Sequence, residues 1–345
     1  MPLTYGLAYG GSTDTWTSAQ LLASFADAKR LGVSTVRIDL HWLDVQPANS
    51  GQWIWTQYDL IVSLAQTYGL DVLFILDKCP DWAGGNGYPP KISGSLATGN
   101  TAFATFCGTA AAHYAPMGIH KWEIWNEPNL VVNWQPAVSA SQYVDTITAA
   151  VTAIRAADAS SFILTGGLSP ASTPLTYWNT MITGSVHNIV DGFAYHPYTY
   201  PFKASTVAAG VPVSWRSDGG GTYWSDIPGL VTALTAASKP NMPIWITEFG
   251  APTYGTQFVS QSDTVLGGIT LPRSNPVSEA FQATIATDAV ATAKTQANVN
   301  ALFWYTATEA NLPGVVTDVE YWFGLSRGDG THKPAWQAYA TAIAS

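Results

Sequence analysis

The chain has 345 residues and a formal net charge of −9; only 11% of its residues are charged, while 47% are hydrophobic. That length suits one large domain with an ample core. An acidic chain without a run of Lys and Arg lacks the means to neutralise phosphates, which excludes a nucleic-acid binder. No apolar run reaches the roughly 18 residues of a membrane-crossing helix.

Taken in order, residues 1–345 alternate short β-rich runs with helical stretches. Strand candidates begin at Leu3, Thr35, Asp71, Trp122, Phe162, Gly192, Ile244 and Asn300. Eight strands separated by helices predict βαβ units closing into a (β/α)8 barrel, as a single domain. Thr17 and Gln20 form a capping-box pattern before Leu21, Leu22 and Phe25, and Gly32 ends that helix. Thr56 opens the next helix and Gly69 stops it. Ser278 opens one running towards Thr295, and Pro334 sits at the first turn of the last, where a missing N–H costs nothing. Two connections are long, 197–226 after strand six and 249–277 after strand seven, and both are rich in Gly, Ser, Thr and Pro. In a barrel such loops lie at the C-terminal face, where active sites are built.

Two strands end on a glutamate. Trp122-Glu123-Ile124-Trp125-Asn126-Glu127-Pro128-Asn129 delivers Glu127 at the end of strand four, and Pro243-Ile244-Trp245-Ile246-Thr247-Glu248 delivers Glu248 on strand seven. Alternation puts Glu123 on the same side as Glu127, but only Glu127 lies at the strand's end. Two carboxylates across a barrel mouth are what glycoside hydrolysis requires: one protonates the leaving oxygen, the other attacks the anomeric carbon or activates water.

The pair WNEPN and ITEFG resembles clan A of the glycoside hydrolases, retaining (β/α)8-barrel enzymes, and is most similar to families 39 and 5. By that resemblance Glu127 is the acid/base, Glu248 the nucleophile, and Asn126 the partner of the sugar's 2-hydroxyl. Arg37 in Val36-Arg37-Ile38 matches an arginine held against the nucleophile. His196-Pro197-Tyr198 matches the clan's H-x-Y motif, with His196 lining the subsite and Tyr198 donating to Glu248. Trp304 matches the sugar-stacking tryptophan of strand eight. The implied partner is a polysaccharide or cell-envelope glycan, cleaved in endo fashion. An exo-acting xylosidase-like or arabinofuranosidase-like enzyme, or a non-catalytic carbohydrate-binding or phage adhesion module on the same barrel, is the competing expectation.

Trp42, Trp82 and Trp134 are expected as outer subsites, with Trp215 and Trp224 as further loop tryptophans. Asp39 and His41 are candidates to line the cleft, and Glu309 and Glu320 are expected to be solvated. There is no G-x-S-x-G elbow, P-loop or H-E-x-x-H, and no Cys/His spacing of a zinc site, so no cofactor or metal is expected. Cys79 and Cys107 either pair, if their Cα atoms come within about 7 Å, or stand as separate buried thiols. Few Lys and many Ala, Thr and Trp point to an extracellular or virion-associated protein, although the start, MPLTYGLAYGG, carries no signal-peptide pattern.

Overall fold

The computed structural model describes residues 2–10, 13–170, 174–208, 223–253, 264–266, 269–271, 276–309 and 319–345. Its centre is a ring of eight parallel strands: β1 (Thr4–Ala8), β2 (Thr35–His41), β3 (Asp71–Asp77), β4 (Lys121–Ile124), β5 (Phe162–Thr165), β6 (Phe193–Tyr195), β7 (Ile244–Phe249) and β8 (Val299–Tyr305). The ladders run β5-β4-β3-β2-β1-β8-β7-β6. The gap between β5 and β6 is closed by the parallel bridges Leu164–Gly192 and Leu168–Tyr195. The strands begin within one residue of the positions expected from sequence.

Each strand is followed by a helix on the outer face: α1 (Ser18–Leu31), α2 (Thr56–Thr67), α3 (Leu96–Tyr114), α4 (Ala140–Ala157), α5 (Pro174–Thr183), α6 (Ile227–Ala236), α7 (Glu279–Thr295) and α8 (Pro334–Ala344). Their ends follow local chemistry. The Thr17 hydroxyl accepts from the Gln20 N–H while the Gln20 side chain accepts from the Thr17 N–H, and Gly32 closes α1 at φ 95°. The Ser278 hydroxyl accepts from the Phe281 N–H at the start of α7. Between β7 and α7 the chain also forms a small antiparallel ribbon, Thr264–Leu266 with Ile269–Leu271.

Strand alternation divides the core in two. On β2, Val36, Ile38 and Leu40 face the helices, as do Val72, Phe74 and Leu76 on β3. The barrel interior is filled by Ala8, Leu73, Leu164, Ala194, Trp245, Ala301 and Phe303. Gly6 admits the Phe303 ring, because a Cβ there would lie 2.3 Å from it. The interior is therefore a packed plug, and chemistry is confined to its upper rim.

Beyond β8 the expectation for Glu309 is corrected. It is buried and paired with Lys333, the residue before α8. Lys333 Nζ also donates to Thr253 Oγ1 (2.8 Å) and to the Trp322 carbonyl (3.2 Å). This joins the loops after β7 and β8 to the start of α8. Burial pushes the Glu309 pKa up and the Lys333 pKa down despite their mutual attraction, as expected for charges removed from water. Removing one partner strands the other. Glu309→Ala is expected to lower unfolding stability by about 3–5 kcal/mol in urea titrations. An unchanged midpoint would show that the pair is not structural.

Candidate active site

The site is organised around Arg37, which points inward from β2 and is 1% exposed. Its Nε donates to Glu123 Oε2 (2.8 Å) and its Nη2 to Glu123 Oε1 (2.9 Å), a bidentate pair. Nη2 also donates to Asn126 Oδ1 (3.0 Å), and Nη1 donates to Glu248 Oε1. One cation thus connects β2, β4 and β7. Glu123, passed over in the sequence for lying short of the strand end, is the counter-ion that makes this burial affordable. It also accepts from the Gly167 N–H (2.9 Å) and the Thr247 hydroxyl (3.3 Å).

Glu248 reaches the interior through an irregularity in β7. Leu302 of β8 pairs with Ile246, and Trp304 with Phe249, so β7 carries one extra residue. Such a bulge re-aims side chains, and here it turns both Thr247 and Glu248 inward. The Tyr198 hydroxyl donates to Glu248 Oε2 (2.8 Å), and His196 Nδ1 lies 3.6 Å from the same oxygen. Burial alone would raise the Glu248 pKa. The neighbouring His196, the Arg37 charge and the Tyr198 hydrogen bond together hold it below the usual carboxylate range.

Glu127 is delivered differently. After β4 the backbone enters the left-handed region at Trp125 (φ 72°) and again at Glu127 (φ 42°), a conformation that costs about 1–3 kcal/mol per residue and is concentrated at functional sites. The Glu127 N–H donates to the Gly167 carbonyl (3.1 Å). Asn129 and Ser169 exchange reciprocal hydrogen bonds (2.7 and 3.0 Å) that tie the β4 loop to the β5 loop. His196 Nδ1 lies 3.1 Å from Glu127 Oε1, and its Nε2 faces Arg37 Nη2 (3.5 Å) and Thr247 Oγ1 (3.0 Å). Among the described residues, Glu127 is paired with no Arg or Lys. The two carboxylates therefore differ in one decisive respect, a cation.

The sequence did not single out Gly167, yet the arrangement needs it: a Cβ there would lie 2.1 Å from His196 Nε2. The Gly166-Gly167 pair directly after strand five was the available signal.

Above these groups opens a cleft of about 590 Å³, bordered by Gly10, Asp39, His41, Asp77, Lys78, Asn126, Glu127, Tyr198, Glu248 and Tyr305. Arg37, Asn126, Glu127, His196, Tyr198 and Glu248 thus converge, and Asp39 and His41 line the cleft wall. Trp304 does not join them. Alternation along β8 turns Ala301, Phe303 and Tyr305 inward, and Trp304 outward against Tyr339 of α8, with its indole N–H donating to the Phe323 carbonyl (3.1 Å). Tyr305 takes the inward position. Trp42 and Trp134 are also removed from the subsites, being fully buried. Trp42 packs on Trp82, Phe103 and Phe106, and Trp134 on Trp125 and Tyr143. Trp82 is half-buried, its N–H donating to the Gln46 carbonyl (2.7 Å), and is not among the residues bordering the cleft. Trp224 is buried against Phe249; Trp215 lies outside the described residues. Leu130 and Val132, not foreseen, form an apolar lip beside Glu127, while Glu320 is exposed at the rim. Cys79 and Cys107 are separate buried thiols.

Among the described residues, three side-chain sets place donor atoms within 4.8 Å of one another, as a cation would require: Glu127/His196/Glu248, Asp39/His41/Asp77 and Asp14/His41/Asp44. In the first, His196 is already engaged by Glu127 at hydrogen-bond distance.

A family model described as Cellulase (glycosyl hydrolase family 5) matches residues 6–317. No curated protein matches by sequence. Among solved structures, a family 39 glycoside hydrolase from the gut symbiont Bacteroides cellulosilyticus WH2 is similar at 19% identity and TM-score 0.71, covering 99% of this chain and 63% of that one. A GH5_18 protein from Streptomyces cattleya, in complex with GlcNAc, is similar at 18% identity and TM-score 0.69, covering 99% and 80%. An exo-β-1,4-mannosidase from Opitutaceae bacterium strain TAV5 is similar at 16% identity and TM-score 0.66, covering 99% and 59%. At these identities the likeness is one of fold, and the chain spans less than two thirds of the first and third of these proteins.

Removing the Tyr198 hydroxyl takes away one of the influences that lower the Glu248 pKa, so Tyr198→Phe raises that pKa. The expected outcome is an acidic limb of kcat/KM displaced to higher pH by about 0.5–1 unit. A limb that stays in place would show that the Tyr198 bond does not tune Glu248.

Proposed function

The chain belongs to glycosyl hydrolase family 5, and from that premise we propose that it is a glycoside hydrolase that cleaves the O-glycosidic bonds of a polysaccharide or cell-envelope glycan with retention of configuration. In this reading Glu248 is the nucleophile and Glu127 the acid/base. The observation that carries it is the pairing of Glu127 and Glu248 across His196, with one oxygen of each within 4.8 Å of the other. Carboxyl groups about 5–5.5 Å apart suit direct attack, whereas about 6.5–9.5 Å is needed to seat a water between carboxylate and sugar.

Glu248, held as an anion by Arg37 and Tyr198, attacks the anomeric carbon. Glu127 gives its proton to the departing oxygen, and a glycosyl ester forms on Glu248. Glu127, now a carboxylate, takes a proton from water, which attacks the same carbon and releases Glu248. Two inversions leave the configuration unchanged. Unlike surroundings for the two carboxylates allow one to be protonated while the other is ionised. Because Asn126 Oδ1 is occupied by Arg37, its NH2 is turned to the 2-hydroxyl of the sugar. Tyr305, in place of Trp304, supplies the aromatic wall.

We assign endo-action on the length of the 197–226 and 249–277 connections alone, of which residues 209–222 and 254–263 lie outside the described residues. The likeness to the exo-β-1,4-mannosidase favours the exo alternative, and product chain length separates the two. An extracellular or virion-associated setting belongs to the same proposal.

The test is release of reducing ends from plant and bacterial-envelope polysaccharides and aryl glycosides by the wild type, Glu127→Gln and Glu248→Gln, with the first-formed anomer read by NMR. Losses of about 10²–10⁴-fold or more in both variants are expected, with the product anomer matching the substrate. An inverted product would contradict retention. Binding of a glycan that survives both substitutions, without hydrolysis by the wild type, would leave a carbohydrate-binding module instead.

A further inference from the structure

Asp39 lies two residues beyond Arg37 on the inward face of β2 and is 9% exposed. It borders the cleft, and no hydrogen bond reaches its carboxylate among the described residues. Beside it His41 is set from behind: its Nδ1 lies 3.2 Å from Asp44 Oδ2, which also accepts from the Tyr58 hydroxyl (2.9 Å). The opposite ring nitrogen, Nε2, is 3.8 Å from Asp77 Oδ1, beyond hydrogen-bond reach. The Asp39 carboxylate and His41 Nε2 thus face one cleft without a hydrogen-bond partner from the described residues, and the buried Asp77 Oδ1 beside them has none either. Buried polar atoms in native proteins are almost always satisfied, so a partner for this cluster is expected from a ligand in the cleft.

Burial works against a charged His41, but the bond to Asp44 and the charges of Asp77 and Asp39 push its pKa up to about 9, so Nε2 carries a proton at neutral pH. Burial raises Asp39 to about 7, against the pull of His41 and Arg37. One donor atom each of Asp39, His41 and Asp77 lies within 4.8 Å of the others. His41 Nε2 and Asp77 Oδ1 are 3.8 Å apart, so one small polar group seated in the cleft can reach all three side chains.

We propose that Asp39 and His41 are a recognition pair for one ring hydroxyl of the sugar bound against Glu248, and so determine which glycosides are accepted. The hydroxyl donates to the Asp39 carboxylate and accepts from His41 Nε2–H, a match that only a group with both capacities satisfies. Two strand residues separate Asp39 from Arg37, roughly 6.6 Å along β2. The hydroxyl therefore belongs to a ring carbon remote from the anomeric centre. The substrate class is a pyranoside carrying that hydroxyl free and correctly oriented, and the pair acts on specificity, not on bond cleavage. This rests on the glycosidase reading above.

The experiment compares kcat/KM for the aryl glycoside that the wild type hydrolyses with kcat/KM for its monodeoxy analogues, in the wild type, Asp39→Asn, Asp39→Ala and His41→Gln. The parent-to-deoxy ratio within one preparation is independent of the fraction correctly folded, and Asp39→Asn preserves side-chain size. The expected result is one analogue disfavoured about 10–100-fold by the wild type, with that ratio falling towards one in Asp39→Ala and His41→Gln. Ratios unchanged by the substitutions, or a wild type indifferent to every deoxy position, would overturn the proposal. So would activity lost to EDTA and restored by a divalent cation, which would make the cluster a metal site. A wild type inactive on every glycoside would instead strike the functional reading on which this inference stands.

Discussion

Arg37 is buried, and a guanidinium does not lose its charge on burial. It must therefore be surrounded by acceptors, and meeting that demand arranges the site. Glu123 supplies a bidentate partner from below, Asn126 a carbonyl oxygen from the side, and Glu248 a carboxylate oxygen from the cleft. Glu123 takes the structural share of the charge, which leaves Glu248 both held and facing open space. The same contact that fixes the Glu248 position also keeps it ionised. Position and protonation state are thus set by one interaction.

Glu127 is held by backbone and by an imidazole, with no cation of its own. The left-handed turns at Trp125 and Glu127 place its carboxyl above the barrel, and the Gly167 carbonyl anchors its N–H. His196 mediates between the two sides of the site, with one ring nitrogen towards the Arg37 network and the other towards Glu127. Room for that ring depends on Gly167 having no side chain. The difference between the two carboxylates is thus built from parts on or just beyond β2, β4, β5, β6 and β7, which is why a barrel, with all strand ends converging on one rim, is a suitable carrier.

What the sequence revealed follows from the physics of each signal. The strand ends were legible because β-rich runs alternate with capped helices. Asn126, Glu127, His196, Tyr198 and Glu248 converge because each sits at or just beyond a strand end, and Arg37, within β2, because alternation turns it inward. Trp304 was misplaced by one residue of pleat. The inward Ala301 and Phe303 mark Tyr305, by alternation, as the residue facing the cleft. Trp42 and Trp134 look like loop tryptophans in sequence, yet they pack beneath the loops in aromatic clusters, Trp42 on Phe106 of α3 and Trp134 on Trp125. Glu309 has the sequence signature of a solvated acid because its partner, Lys333, is brought to it only by the fold. The extra residue in β7 that turns Glu248 inward is a property of its pairing with β8 and has no local signature.

The central claim is that Arg37 and its neighbours keep Glu248 ionised and poised as the attacking group. The most direct measurement is inactivation by a 2-deoxy-2-fluoro glycoside with a dinitrophenyl leaving group, which needs no proton from Glu127, followed across pH and located by peptide mapping. The account predicts a stoichiometric ester on Glu248. It also predicts an inactivation rate that holds as pH falls through the ordinary glutamate pKa, because the Glu248 pKa lies below it. An adduct on another residue, or a rate already declining above that range, would contradict it.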